Sequence, residues 1–510
     1  MNQNLYSALQ REFPPPEHPC LTGPEGELVS YGQLHRRSAQ LAHQLRERGV
    51  QAGDRVAVQV EKSAEAILLY LAVLRLGAIY LPLNTAYTLT ELEYFLKDST
   101  PRLLVCDPSR ADSLGPMAGH VGVGSLETLG AGGRAGTLSA AADARPDSFA
   151  DVARSEADLA AILYTSGTTG RSKGAMLTHG NLLSNARALR SAWHFNAEDR
   201  LLHALPVFHI HGLFVAINVT LAAGATALLL PRFDPDLVFR HFPATTVLMG
   251  VPTFYVRLLQ DPRLSPASTA TIRLFVSGSA PLLAETHRAW HARTGQAILE
   301  RYGMTETGIN TSNPYEGERR AGTVGLPLPD VDLRIVDLES RKPLGRGALG
   351  MIEVKGPNVF AGYWRNPEKT QSEFHDGYFI TGDIGQIDAR GYVHIVGRGK
   401  DLIISGGYNV YPKEIEDEID ALAGIAESAV IGLPHPDLGE GVTAVVVPEP
   451  RSADLSEAAL LEKLRVRLAR YKCPKRILFV TELPRNTMGK VQKNVLRNTY
   501  EQLYQVTAGR

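Results

Sequence analysis

Short apolar runs alternate with helical stretches along most of the chain. DRVAVQV (54–60) has the alternating, β-branched pattern of a strand. AEAILLYLAVLRLG (64–77), apolar on nearly every side, predicts a buried helix after it, and GAIYLPL leads on into a further short strand. RLLVCD (102–107), LLHALPV (201–207), ATALLLP (225–231), TTVLMG (245–250) and RLFVSG (273–278) repeat the strand signal, each with a loop or helix behind it. Apolar strands separated by helices point to largely parallel sheets with both faces covered, so the predicted class is α/β. LRIVD (333–337), GMIEVKG (350–356) and YVHIVG (392–397) lie closer together and predict a smaller β-rich unit. The tail carries its own strand and helix signals in YPKEIEDEIDAL, AESAVIG, VTAVVVP and LSEAALLEKLRVRLARY. A boundary near Gly399–Lys400 follows, giving a large N-terminal domain over residues 1–399 and a small α+β domain over 400–510. Residues 116–158 are rich in Gly, Ala and Ser, as in GAGGRAG (130–136), and predict a surface loop with little packed core.

Composition narrows the class of protein. At 510 residues and 44% hydrophobic, the chain is long enough for several cores. Lys and Arg number 53 against 54 Asp and Glu, so the basic excess of a nucleic-acid binder is missing. Cys20, Cys106 and Cys473 are far apart and form no C-x-x-C pair, which argues against a disulfide framework or a cysteine zinc site. The N-terminus lacks the charged start and apolar core of a signal peptide. The most apolar stretch, residues 66–83, is interrupted by Arg75 and Gly77 and is too short to span a membrane. The expectation is a soluble, cytoplasmic protein with neither nucleic acid nor membrane as partner. Nothing in the sequence fixes an oligomeric state.

The sharpest chemical signal is YTSGTTGRSKG (164–174), entered from the apolar strand LAAILY. Gly167, Gly170 and Gly174 permit backbone geometries that turn several N–H groups toward one point, a nest for an anion. Thr165, Ser166, Thr168 and Thr169 add hydroxyl donors, and Lys173 adds a cation. The set suits a triphosphate or a departing pyrophosphate. It is not the P-loop pattern, because the Gly–Lys spacing and the residue after the lysine differ. A flexible Ser/Thr/Gly loop without a ligand is the competing reading.

With this loop the sequence resembles the adenylate-forming superfamily of acyl-CoA synthetases, adenylation domains and luciferases. Further matches follow in order: PVFHIHG (206–212), GSAPL (278–282), ERYGMTET (300–307), TGD (381–383), GRGKDLIISGGYNVYP (397–412) and PRNTMGK (484–490). Ser172 departs from the pattern, where proline is common. The resemblance implies ATP and coenzyme A as co-substrates and Mg²⁺ as cofactor. It implies that Tyr302 packs on adenine, with Gly303 beside it, that Thr305 contacts phosphate, and that Glu306 helps hold Mg²⁺. Asp383 and Arg398 match the pair that binds the ribose hydroxyls. Lys400 falls at the family's hinge, and Gly406 and Gly407 belong to the loop that forms part of the pantetheine tunnel. Lys490 matches the lysine that serves the first half-reaction, and His209 a gate beside the acyl site. His209 and His211 could suggest a metal pair, but no Cys, His or Asp cluster with ligand spacing supports one.

Two arginines bear on which acid is activated. Arg257 lies in GVPTFYVRLL, where Pro252 predicts a helix start, and Arg301 immediately precedes the nucleotide motif. A pocket for a fatty or aromatic acid would tolerate unpaired cations poorly. A second substrate carboxylate removes the difficulty, because arginine binds it by paired, charge-assisted hydrogen bonds. The alternative is that the arginines face solvent or pair with acids such as Glu300. VLMGVPTFYVRL, RLFVSGSAPL and ERYGMTETGINTSNPY together look like the malonyl-CoA synthetases of the superfamily. In that group, residues matching Arg257, Ser279 and Arg301 hold the distal carboxylate, which makes malonate or methylmalonate the expected acid. A monocarboxylate–CoA ligase, an enzyme loading a carrier protein, and a non-catalytic nucleotide binder are the rival readings.

Overall fold

The computed structural model describes residues 2–132, 135–165, 172–405, 408–450, 455–486 and 489–504. The predicted alternation yields two large sheets with helices around them. In one, the strands run in the order Ser125–Thr128, Leu103–Cys106, Arg55–Gln59, Ile79–Pro82, Leu159–Thr165, Lys173–Thr178. All neighbours are parallel except the last pair. The second is built around the parallel run Thr226–Leu229, Arg200–His203, Val247–Gly250, Leu274–Ser277 and Leu299–Met304. Antiparallel strands close it at both ends, among them Gly308–Ser312.

The helix Ala64–Arg75 shows why these sheets pack together. Ser63 caps it by accepting from the Ala66 N–H, and every residue from Glu65 to Arg75 is buried. Its two charges are neutralised locally: Glu65 pairs with Arg37 at 2.6 Å, and Arg75 with Asp151 at 2.7 Å. Nearby, Lys62 donates to the carbonyls of His203 and Leu205, at 3.2 and 2.9 Å. It thereby ties one sheet to the segment that enters the 206–212 loop of the other.

The β-rich unit is an antiparallel sheet containing Asp332–Val336, Gly350–Lys355, Tyr378–Ile387 and Val393–Arg398. Beyond Gly399–Asp401 the tail builds its own sheet around the long hairpin Ile425–His435 and Gly439–Pro448, covered by the helices Pro412–Asp420 and Glu457–Arg467. This matches the expected large α/β region with a β-rich subdomain and a small α+β tail.

One expectation needs correcting. Residues 116–158 are not a core-poor loop. Ser125–Thr128 is an edge strand of the first sheet, and Thr137–Ala142 is a helix that buries Leu138 and Ala142. A four-residue strand and an alanine-rich helix show little hydrophobic periodicity, so composition alone misread them. No described helix is long and apolar enough to cross a membrane.

Candidate active site

The hairpin Leu159–Thr165 and Lys173–Thr178 carries the Gly-rich loop at its tip, with Thr165 directly opposite Lys173. Ser166, Gly167, Thr168, Thr169 and Gly170 lie outside the described residues, as do Gly406 and Gly407. At the base of the loop, the Thr165 hydroxyl lies 3.4 Å from a Glu306 carboxylate oxygen, and the Tyr363 hydroxyl donates to the same oxygen at 3.1 Å. Burial raises the Glu306 pKa, although those two hydroxyls and the charge of Arg398 oppose the rise. The Lys173 ammonium sits 5.3 Å from the centre of the Tyr363 ring. Burial and Lys369 depress its pKa.

Strand Leu299–Met304 then turns tightly back into Gly308–Ser312, with Thr305 half-buried and Glu306 buried in the connection. The turn requires Gly303: a Cβ there would lie 2.0 Å from the Gly308 carbonyl oxygen. Tyr302 donates its hydroxyl to Asp383 at 2.5 Å. Asp383 and Arg398 are cross-strand partners, joined by a 2.8 Å ion pair. Burial opposes the charge on Arg398, but Asp383, Tyr302 and Glu306 outweigh it and hold the guanidinium above its ordinary pKa. Three motifs distant in sequence thus meet in one cluster: the residues 302–306 turn, Asp383 and Arg398.

The tail reaches this cluster. Gly489 rests on the helix Pro252–Leu259, where a Cβ would lie 3.1 Å from the Thr253 methyl. The next residue, Lys490, is solvent-exposed, with the charges of Arg398, Asp383, Lys400 and Asp401 around its ammonium. Burial and the charges of Arg398 and Lys400 lower its pKa to about 8, against the pull of Asp383 and Asp401. Lys400 lies exposed in the turn Gly399–Asp401, and Asp401 is paired with Arg497 at 2.5 Å.

Beside the nucleotide cluster lies a buried cation of a different kind. Arg301 is 4% exposed, and its Nε and Nη2 groups have no hydrogen-bond partner among the described residues. Arg75, equally buried, is saturated by Asp151, Ser38 and the carbonyls of His35 and Phe149. Burial lowers the Arg301 pKa to about 9, so it stays cationic at neutral pH. Glu300 does not neutralise it, because strand alternation turns Glu300 to the other face, where it accepts from the Leu282 N–H at 3.2 Å.

The guanidinium fits because residue 278 is glycine: a Cβ there would lie 2.4 Å from Arg301 Cζ. Ser279 follows in a left-handed conformation with φ of 69°, and its Oγ lies 3.1 Å from His211 Nδ1. His209 Nδ1 accepts from the His211 N–H at 3.2 Å. Burial and the charge of Arg301 drive both imidazoles toward the neutral form, with His209 at about 4. Among the described residues no group of three or more His, Cys, Asp or Glu could hold a metal ion. Arg257 lies on the exposed side of the helix Pro252–Leu259, in its last turn, where a cation also suits the helix dipole.

Models of two families cover most of the chain: AMP-binding enzyme over residues 10–364, and AMP-binding enzyme C-terminal domain over 414–490. The chain belongs to the AMP-binding enzyme family. Within the family, ATP-bound MatB from Rhodopseudomonas palustris is 58% identical and superposes with a TM-score of 0.97, covering 99% of this chain and all of that one. The apo form of MatB, at the same identity and coverage, superposes at 0.86. The chain thus superposes more closely on the ATP-bound form than on the apo form. A feruloyl-CoA synthase from Amycolatopsis is 37% identical, covering 98% of this chain and 99% of that protein. A malonate–CoA ligase from Arabidopsis thaliana is 36% identical, covering 88% and 78%.

Sequence reading missed Tyr363, which steadies Glu306, and Thr253, which meets the tail. Neither belongs to a motif with a chemical signature of its own. Gly278 was quoted within SGSAPL, but only packing reveals that its missing side chain is the room for Arg301.

Proposed function

We propose that this protein ligates malonate to coenzyme A through malonyl-AMP, releasing pyrophosphate and then AMP. The observation that carries the choice of acid is Arg301, a buried cation with no counter-charge among the described residues, next to Ser279. A distal carboxylate supplies that counter-charge, whereas the ring of ferulate or an alkyl chain would leave the guanidinium desolvated and unpaired.

In the first step one malonate carboxylate, ionised at neutral pH and needing no base, attacks the α-phosphorus, and pyrophosphate leaves. Lys490 and Lys173 offset charge on the phosphates. Tyr302 and Gly303 bound the adenine site, Asp383 and Arg398 take the ribose hydroxyls, and Thr305 faces phosphate. Glu306 fits a Mg²⁺ site of the kind completed by phosphate oxygens and water, since it is a lone buried carboxylate beside the phosphate loop. Bound there, Mg²⁺ would neutralise phosphate charge. In the second step the tail, residues 400–510, turns about Lys400 and withdraws Lys490. The loop at Gly406 and Gly407 then helps to form the pantetheine passage, and neutral His209 acts as a gate beside the acyl group. The thiol of coenzyme A attacks the acyl carbon and AMP departs. Arg257, exposed on the helix Pro252–Leu259, would have to swing inward to join Arg301 and Ser279 at the distal carboxylate.

The test is a substrate panel read by pyrophosphate release: malonate, methylmalonate, acetate, octanoate and ferulate, each with free coenzyme A or a carrier protein. Malonate should lead, with free coenzyme A as acceptor. A monocarboxylate outperforming it would remove the assignment of the acid. Gly278→Ala supplies a second check. The added methyl must push the guanidinium aside, and a displacement on this scale is expected to cost about a hundredfold in kcat/KM for malonate. The KM for ATP should stay near wild type.

A further inference from the structure

Ser279 brings a single hydroxyl proton to a site whose proposed ligand can only accept hydrogen bonds. That hydroxyl could equally point its proton at His211, whose Nδ1 lies 3.1 Å away. Which way it points decides whether the distal carboxylate meets a donor or a lone pair.

Several features bear on the choice. His211 is 1% exposed, and its Nε2 has no hydrogen-bond partner among the described residues. Its backbone N–H is held by His209, and the first turn of the helix it opens, His211–Ile217, is pinned by His203, whose Nε2 donates to the Gly212 carbonyl at 2.8 Å. The backbone that carries the imidazole is therefore held in place, and the ring is buried against Ser279. Ser279 is held as firmly. Its left-handed φ is uncommon for a residue with a side chain, and such conformations persist where the surroundings impose them, often at functional sites. With both backbones held and the two side chains 3.1 Å apart, what distinguishes the two arrangements is where two protons sit. Burial together with the charge of Arg301 keeps the imidazole neutral, so it carries a single N–H.

We infer that His211 is a positioning residue for the distal carboxylate: its Nδ1–H donates to Ser279 Oγ and so directs the Ser279 hydroxyl proton onto the substrate. The opposite tautomer would use the serine proton on Nδ1 and set an oxygen lone pair against a carboxylate oxygen. With a carboxylate in place that arrangement is repulsive. The role extends to malonate selectivity, because a monocarboxylic acid presents no acceptor there and gains nothing from the orientation. The inference rests on the reading of Arg301 and Ser279 as the distal-carboxylate site.

A double-mutant cycle tests it, read as pyrophosphate release with malonate and with butyrate, and with the KM for ATP as control. His211→Phe removes the Nδ1 donor and should lower kcat/KM for malonate about tenfold, chiefly through KM. Butyrate turnover should fall several-fold less than malonate turnover, and the KM for ATP should move least. His211→Asn, which can place an amide N–H near Nδ1, should recover most of the loss. In a Ser279→Ala background, His211→Phe should add less than about twofold, because the proton it directs is gone. Losses that multiply independently, an equal loss on butyrate, or an asparagine variant no better than phenylalanine would overturn the role of His211. Failure of the underlying reading looks different: Arg301→Ala and Ser279→Ala would then lose no more on malonate than on butyrate.

Discussion

Replacing Arg301 by alanine is expected to lower kcat/KM for malonate by about 3 kcal/mol, or on the order of a hundredfold, since the distal carboxylate then enters a buried site with no counter-charge. Turnover of butyrate should fall far less. The stability consequence runs the other way. The guanidinium is buried with two of its nitrogens lacking a partner among the described residues. Its pKa, lowered to about 9, expresses what burial costs the charge, although the group stays cationic at pH 7. A cation whose folded pKa is depressed destabilises the fold in full below that pKa, and the effect fades as pH rises through it. Arg301→Met, close in volume and apolar, should therefore stabilise the unliganded protein at pH 7, on the order of 1–4 kcal/mol, while abolishing selectivity for malonate. Thermal unfolding of both variants with and without malonate and ATP checks this. Equal losses on malonate and butyrate would show that the arginine serves folding or the nucleotide instead. An unchanged midpoint for the methionine variant would show that the charge is not costly.

Lys490→Ala should separate the two half-reactions. The ammonium stands in the nucleotide cleft near Asp383 and Arg398, where charge develops when the acid attacks phosphorus. Loss of one such preorganised donor is expected to slow pyrophosphate release by about 10²–10³-fold. Thioester formation from supplied malonyl-AMP should stay within about threefold of wild type. Rapid-quench measurements of each step decide the matter, and parallel losses in both would refute a step-specific role. The pH dependence adds a signature. The protonated amine is the active form and its pKa in the free enzyme is about 8, so kcat/KM for adenylation should decline as pH rises through that value. Lys490→Arg should move the decline to higher pH.

The sequence made the layered α/β class legible because its central strands are apolar on both sides and their helices are long. Ala64–Arg75 is the clearest instance: its boundary and burial follow from a serine cap and an unbroken apolar surface. Thr137–Ala142 is the counterexample, since alanine packs well yet carries no pattern. In the site, motif residues could be named in advance because ordered motifs resemble those of a known family, and Asp383 and Arg398 lie in register across adjacent strands. What could not be read was state and surroundings. Nothing in ERYG tells that Arg301 faces inward without a partner while Glu300 faces the opposite side, accepting from Leu282. Nothing in HIHG tells that His211 reaches Ser279. Those facts belong to packing between segments far apart in the chain.

The contact between Gly489 and Thr253 bears on how fast the tail can let go. It is a glycine backbone resting on one small side chain. A latch of that kind has little grip, so undocking after the first step need not become the slow event of the cycle. A bulky residue at either position would set the catch differently, wedging the tail away from the cleft before Lys490 could arrive.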